Sequence, residues 1–366
     1  MSPVSSPVPC MIRTAVRLRA TWPWPGSERI SKSERMPKAP NSFPEPGGSP
    51  ATPESPPMRP LSIPTPESLD AESVLDLQEH MRLPAPPRKG RAAPAANLLA
   101  LAGRYDAFIL DGYGVINVGP EPIPGIGDAI RALRAAGREV MVLTNGAGRP
   151  SRVTARRYAR WGLDLPERLV VSSRDALEAS LAAHPRPGRW GVMALPDSEL
   201  DTLPVETALL KDDEAVYRQA DGFIFIRSEG WSEARHRLMA EALRDSPRPV
   251  LVANPDVSAP YPDRRFSAEP GYWALRIEAE TGVRCELYGK PFTPAFELAL
   301  SRLDAARTRR ERVAMVGDGL YTDILGGLAA GLGTVLVTDH GLLKGLDWET
   351  RAARVGIFPD HVVPEA

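Results

Sequence analysis

Apolar and polar positions divide this chain near residue 97. Beyond that point short apolar runs alternate with segments of helical period, a pattern that predicts repeated strand–helix units. Strands are expected at Ala107–Asp111, Glu139–Thr144 and Leu169–Val171, and helices at Pro124–Ala136 and Pro150–Trp161. The first helix has Pro124 at its start and Gly137 just past its end, as helices prefer. Repeats of this kind imply a parallel sheet with helices on both faces.

From Ser172 to Glu269 the alternation continues, with strands expected at Trp190–Ala194, Gly222–Ile226 and Val250–Ala253 and helices at Arg174–Ala183 and Ser232–Arg244. This stretch is long enough for an inserted domain. The first pattern then resumes with a helix Gly271–Thr281, strands at Glu286–Gly289, Val313–Asp318 and Thr334–Val337, and helices at Pro294–Leu303 and Thr322–Ala330.

The N-terminal part differs in kind. About half of the 39 prolines precede residue 100, and periodic apolar pattern is scarce up to Lys89. Such a segment cannot bury enough surface to offset its ordering entropy, so disorder is expected over 1–95, with one short helix near Pro66–Met81. Met11–Ala20 carries Arg13, Arg17 and Arg19 and no acids, faintly like a transit peptide. The plain alternative is a tail without function, or a true start at Met36, Met58 or Met81.

Bulk composition narrows the classes. The 366 residues include 43% apolar ones, and the formal net charge is −1, which gives no basic excess for nucleic acid. No stretch approaches the roughly 20 apolar residues of a membrane span. Cys10 and Cys285 are too few for a disulfide framework and point to a reducing cytoplasm. The five histidines are scattered, without zinc spacing. Oligomeric state is unreadable, and a homodimer stays open.

Four polar signatures follow strand-like runs: Asp111-Gly-Tyr-Gly-Val, Thr144-Asn145, Gly289-Lys290-Pro291, and Gly317-Asp318 with Asp323 five residues on. In an open parallel sheet the strands' carboxyl ends share one edge, where ligands bind. Convergence there would supply a nucleophilic carboxylate, a hydroxyl and amide, a cation and a carboxylate pair, a set suited to Mg²⁺-assisted chemistry on a phosphate. Taken singly, each has a plain reading. Asp111 can cap a strand-to-loop turn, Thr144-Asn145 can form a turn, Lys290 can be a solvated charge, and Asp323 can serve a helix N-terminus. Their joint order favours the functional reading. Gly112-x-Gly114 and Gly125-x-Gly127 lack the context of a dinucleotide loop, Gly289-Lys290 is not a P-loop, and no nucleophile elbow occurs. Trp161, Trp190, Trp231 and Trp273 are expected in cores, with Tyr272 and Trp273 near a hinge.

Residues 100–345 resemble the haloacid dehalogenase superfamily, in particular its class IIA branch of sugar-phosphate and nitrophenyl-phosphatase-like enzymes. The resemblance is carried by the four signatures, by Ala253-Asn-Pro-Asp256, by Tyr288-Gly-Lys-Pro, and above all by GDGLYTDILGGLAAGLGTVLV. It implies an α/β fold: a Rossmann-like parallel core at 96–171 and 270–366, with an inserted α/β cap of C2 type at 172–269. It implies Asp111 as nucleophile, Mg²⁺ held by Asp111, the Tyr113 carbonyl and Asp318 with Asp323 orienting that shell, phosphoryl binding by Thr144 and Asn145, and Lys290 as stabilising cation. The partner implied is a small phosphorylated molecule. One departure stands out: Tyr113 occupies the place of the family's acid Asp. The dehalogenase branch carries Tyr there, so a hydrolytic dehalogenase and a catalytically weak phospho-metabolite-binding protein remain alternatives. Without that acid, a phosphatase is expected to prefer good leaving groups.

Overall fold

The computed structural model describes residues 62–81, 90–261 and 265–366, so the expectations for 1–61 and 82–89 lie outside the described residues. In chain order the strands and helices are α1 (Ala71–His80), β1 (Ala93–Pro94), β2 (Ala107–Leu110), β3 (Asn117–Val118), β4 (Glu121–Pro122), α2 (Ile126–Ala135), β5 (Glu139–Thr144), α3 (Ser151–Arg160), β6 (Val170–Ser172) and α4 (Ser173–Ala183). They continue as β7 (Arg189–Met193), β8 (Glu206–Leu209), α5 (Glu214–Gln219), β9 (Gly222–Phe225), α6 (Glu233–Asp245), β10 (Val250–Val252), α7 (Pro270–Thr281) and β11 (Cys285–Leu287). The chain closes with α8 (Thr293–Ser301), β12 (Val313–Gly317), a π-turn Leu320–Ile324, α9 (Leu325–Ala329), β13 (Gly333–Val337), α10 (Trp348–Val355) and β14 (His361–Val363).

Two sheets result. The first runs β1-β14-β13-β12-β2-β5-β6, and the second β11-β10-β9-β7-β8. Every pairing within both is parallel. Parallel strands are covered on both faces and so read as unbroken apolar runs. AFIL of β2 and VAMVG of β12 are buried at every position, and they pair Leu110 with Val316 just before Asp111 and Asp318. This α/β architecture of parallel core plus inserted α/β unit is the one expected.

The insertion runs further than the expected boundary at 269. Strand β11 pairs with β10, Cys285 opposite Val250, so α7 and β11 belong to the second sheet's unit and the chain rejoins the first sheet only after Leu287. The physical reason is burial: Tyr272, Trp273 and Ile277 of α7 and Cys285 pack with Val250, Val252 and Met239 in one apolar cluster. A second cluster joins the two sheets, from Ile109, Met141 and Met315 through Leu177 and Phe296 to Val192, Ile224 and Leu251.

The expected disorder over 1–95 is corrected for 62–81, which pack against the rest of the described chain, and for 90–95, where β1 pairs with β14 at the edge of the first sheet. Asp70 starts α1 with a capping box: it accepts from Ser73 N at 2.8 Å, and Ser73 Oγ accepts from Asp70 N at 2.9 Å. Val74 and Leu77 enter the cluster of the second sheet, whereas Leu75 enters a cluster with Leu320, Tyr321 and Ile324 beneath the π-turn. Arg351 binds Glu72 and Asp76 at 3.0 Å each, Tyr321 donates to Glu79 at 2.7 Å, and Tyr272 donates to the Pro64 carbonyl at 2.7 Å. The segment thus straps both units. The periodic apolar positions of α1 were legible in sequence; the surfaces that reward its ordering were not.

Truncating a buried leucine costs about 2–5 kcal/mol. Leu75→Ala is therefore expected to lower stability by about that amount, read as a drop in the unfolding midpoint of the full chain.

Candidate active site

The carboxyl ends of β2, β5 and β12 meet at one edge of the first sheet. Asp111 follows β2 directly and is 8% exposed. Its Oδ1 accepts from Gly112 N at 2.5 Å and lies 2.6 Å from Lys290 Nζ. Asp318 follows β12, and Asp323 sits in the π-turn with no exposed surface. A π-turn is a rare backbone form found often at functional sites. Here it replaces the start of the expected helix 322–330 and delivers Asp323 Oδ1 to 2.6 Å from Lys290 Nζ. Asp323 Oδ2 accepts from Gly319 N and Thr322 Oγ1, both at 3.1 Å. One ammonium, 2% exposed, therefore bridges two carboxylates.

A third carboxylate crowds the same space. Ligand atoms of Asp111, Asp318 and Asp323 all lie within 4.8 Å of one another. Two glycines of left-handed φ make room for Asp318: a Cβ on Gly114 would fall 2.4 Å from its Cγ, and one on Gly341 would fall 1.6 Å from its Oδ2. Leu342 N donates to that oxygen at 2.9 Å. Burial, then Asp323, pushes the Asp318 carboxyl up to about 7, with Leu342 N–H and Lys290 pulling the other way. Burial, reinforced by Asp323, also raises Asp111 well above the carboxylate range against the pull of Lys290. Burial opposes the charge on Lys290, but Asp111 and Asp323 outweigh it and hold its pKa above the ordinary value. The ammonium stays charged and the upward push falls on the carboxylates. Three buried carboxylates against one cation leave unbalanced negative charge, and an all-oxygen donor set of this size fits a hard divalent metal ion.

The Thr144 Oγ1 ends β5 and accepts from Gly146 N at 3.2 Å. A Cβ on Gly112 would lie 3.0 Å from that hydroxyl, so the first and second signatures touch. Asn145 departs from its expected use. Its two amide protons go to Asp256 Oδ1 at 2.7 Å and the Lys290 carbonyl at 3.0 Å, while its Oδ1 accepts from Lys290 N at 2.7 Å. An amide has two donors, and both are committed, so this side chain positions the lysine loop rather than offering a donor to a phosphate. Tyr113 also turns away: its hydroxyl donates to the Pro260 carbonyl of the inserted unit. Burial, then Asp318, raises its pKa to about 12, a proton held far too tightly for an acid at neutral pH.

Sequence reasoning gave no site role to Asp256 or Glu269. Asp256 belongs to the Asn254-Pro-Asp256 stretch, and burial raises it to about 6 against the pull of Asn145. Glu269 accepts from Ser267 Oγ at 2.6 Å and Asn254 Nδ2 at 3.3 Å, and burial raises it to about 7, helped by Asp256 and Glu229 and opposed by Ser267 and Arg227. Glu269 carries no local signal, whereas Asp256 lies in a stretch that carries the family resemblance. Asp256 meets Asn145 from 111 positions away, whereas Glu269 meets Ser267 and Asn254 of its own segment.

Comparison with known proteins now decides the family. A haloacid dehalogenase-like hydrolase model matches residues 108–201, and a HAD-hydrolase-like model matches 287–365. The chain belongs to the haloacid dehalogenase-like hydrolases. It is 29% identical over 259 residues to a dihydroxyacetone phosphatase of Corynebacterium glutamicum, covering 70% of this chain and 88% of the relative. It is 26% identical over 291 residues to the human glycerol-3-phosphate phosphatase, covering 72% and 89%. The fold matches a possible sugar phosphatase from Cytophaga hutchinsonii with TM-score 0.67 at 24% identity, over 75% of this chain and 98% of the other. A p-nitrophenyl phosphatase from Archaeoglobus fulgidus matches with TM-score 0.61 at 21% identity, over 71% and 96%. The two family matches flank most of the second sheet, so this hydrolase carries its inserted unit where the alternation continued without signature residues. No helix among the described residues is long and apolar enough to cross a membrane.

Glu269 predicts a pH dependence of stability. Its native pKa, about 7, exceeds the ordinary 4.5, so the folded form binds more protons than the unfolded one between those values. Its contribution is complete below the unfolded value and is lost as pH rises through about 7. Glu269→Gln abolishes that loss. Melting temperatures of variant and wild type are expected to shift in favour of the variant on going from pH 5 to pH 8.

Proposed function

We propose that this hydrolase is a Mg²⁺-dependent phosphatase of small phosphorylated metabolites, working in a reducing cytoplasm through an aspartyl-phosphate on Asp111. The observation that carries this reading is the convergence of Asp111, Asp318 and Asp323 within 4.8 Å beside the buried Lys290. The names of its relatives, which include dihydroxyacetone, glycerol-3-phosphate and acid sugar phosphatases, support a sugar or polyol phosphate as substrate.

Asp111, the Tyr113 carbonyl and Asp318 would hold the metal ion, with Asp323 orienting them. Bound there, Mg²⁺ supplies charge neutralisation for the phosphoryl oxygens. The Asp111 carboxylate attacks phosphorus in line, and the ester P–O bond breaks with its electron pair on the departing oxygen. Thr144 Oγ1 donates to a phosphoryl oxygen. Lys290 pairs with the carboxylate before attack and with the developing phosphoryl charge during it. Water then cleaves the acyl phosphate and restores Asp111. The carboxylate trio favours this chemistry over C–halogen cleavage, which needs no metal ion.

No acid stands at position 113, because the tyrosine proton is held on the Pro260 carbonyl. Good leaving groups such as aryl and acyl phosphates are then preferred. Tyr113→Phe is expected to change turnover of an aryl phosphate by no more than a few-fold, and Tyr113→Asp to accelerate alkyl phosphates by up to the roughly 10²-fold or more that a positioned acid contributes. Steady-state kinetics on both substrate types checks this. Chelation of divalent ions and Asp111→Asn should each abolish phosphate release across a broad phosphomonoester panel. Release that survives either would overturn the reading.

A further inference from the structure

A cleft of about 520 Å³ opens beside the candidate active site. One wall is the loop Gly146–Arg149 after β5 together with Val153, Arg157 and Arg160 of α3. The other wall follows β7, β9 and β10, with Asp197, Arg227 and Asn254. Carboxyl ends of parallel strands from both sheets thus face one another across it, the crevice where such sheets bind ligands. The cleft adjoins the loop that follows Thr144 and Asn145. Gly146 follows Asn145, and the Tyr158 hydroxyl, bonded by Arg157, stands 3.0 Å from where a Gly112 Cβ would lie.

Its charges are unevenly paired. Arg149 binds Asp197, and Arg227 binds Glu229 at 2.6 Å. Arg157 and Arg160, three residues apart on α3, have no carboxylate partner among the described residues. Arg157 stacks over Trp161 and Tyr158, 5.1 Å and 5.6 Å from the ring centroids, and its Nε is buried without a hydrogen-bond partner. A guanidinium held on aromatic faces keeps its planar donor fork pre-set for a carboxylate or phosphate, so little side-chain freedom is lost on binding.

We propose that the substrate is a phosphomonoester bearing a second anionic group, a carboxylate or another phosphate, seated on Arg157 and Arg160. The proposal rests on the reading of Asp111 as the phosphate end of the site. Phosphates of uncharged polyols and sugars would leave both guanidiniums without an anionic partner. Charge-assisted bonds of this kind correspond to a preference on the order of 10- to 100-fold.

The test is kinetic, on the full chain with Mg²⁺. 3-Phosphoglycerate is compared with glycerol 3-phosphate, and fructose 1,6-bisphosphate with fructose 6-phosphate, so that the two arms separate a carboxylate from a phosphate as the second anion. The expected kcat/KM ratio favours the member with the second anionic group in one pair by at least about tenfold. It is expected to fall toward one in Arg157→Gln/Arg160→Gln, and to fall partway in Arg160→Gln, whose exposed position spares the fold. Equal ratios in wild type, or a preference that survives the double variant, would overturn the proposal. Calorimetric titration of Asp111→Asn with the same compounds separates binding from turnover. Selective binding without turnover in wild type retains the anion seat and rejects hydrolysis at Asp111. Equal or absent binding rejects the seat.

Discussion

The site depends on one buried ammonium. Lys290 Nζ sits 2.6 Å from both Asp111 and Asp323, and almost none of it reaches solvent. A charge removed from water must be compensated where it stands, and removing one partner of a buried pair typically costs about 3–5 kcal/mol. Everything around it serves that compensation. Asn145 holds the lysine's main chain from both sides, the π-turn turns Asp323 inward, and Asp256 takes the second amide proton of Asn145. The inserted unit is therefore tied to the chemistry through its own return segment as well as across a surface.

Lys290 balances only part of the charge. Asp318 lies in the same pocket with its carboxyl pushed up, and the backbone is built to admit it through glycines at 114 and 341. A site that crowds carboxylates beyond its own cations is preorganised for a positive guest. The neighbouring cleft has the opposite imbalance, with guanidiniums in excess on α3. Negative charge concentrated at the strand ends of the first sheet and positive charge on the adjoining wall together define a polar axis along which a substrate can be aligned.

Much of this was legible in the residues. Strands buried on both faces write themselves as AFIL, VMVL and VAMV, and polar residues placed immediately after such runs fall on one edge once the strands are parallel. That logic brought Asp111, Thr144 and Asp318 together. It failed where an element's address depends on distant partners. Cys285–Leu287 is a three-residue strand whose pairing with β10, rather than the first sheet, is decided by what α7 buries. Edge strand β8 is half exposed and was not seen at all. Asn145 was recognised by type, but its partners 111 and 145 positions away decide that it steers a lysine. In the same way α1 shows its apolar face in sequence, whereas its docking under the π-turn is a property of the assembled fold.

Calorimetric titration of Mg²⁺ into the phosphate-free chain, beside Asp318→Asn, tests the central arrangement most directly. One divalent site per chain in the wild type, lost or severely weakened when that carboxylate becomes an amide, is the predicted result. Absence of binding to the wild type, or the same affinity in both proteins, would contradict a metal shared between the ends of the second and twelfth strands.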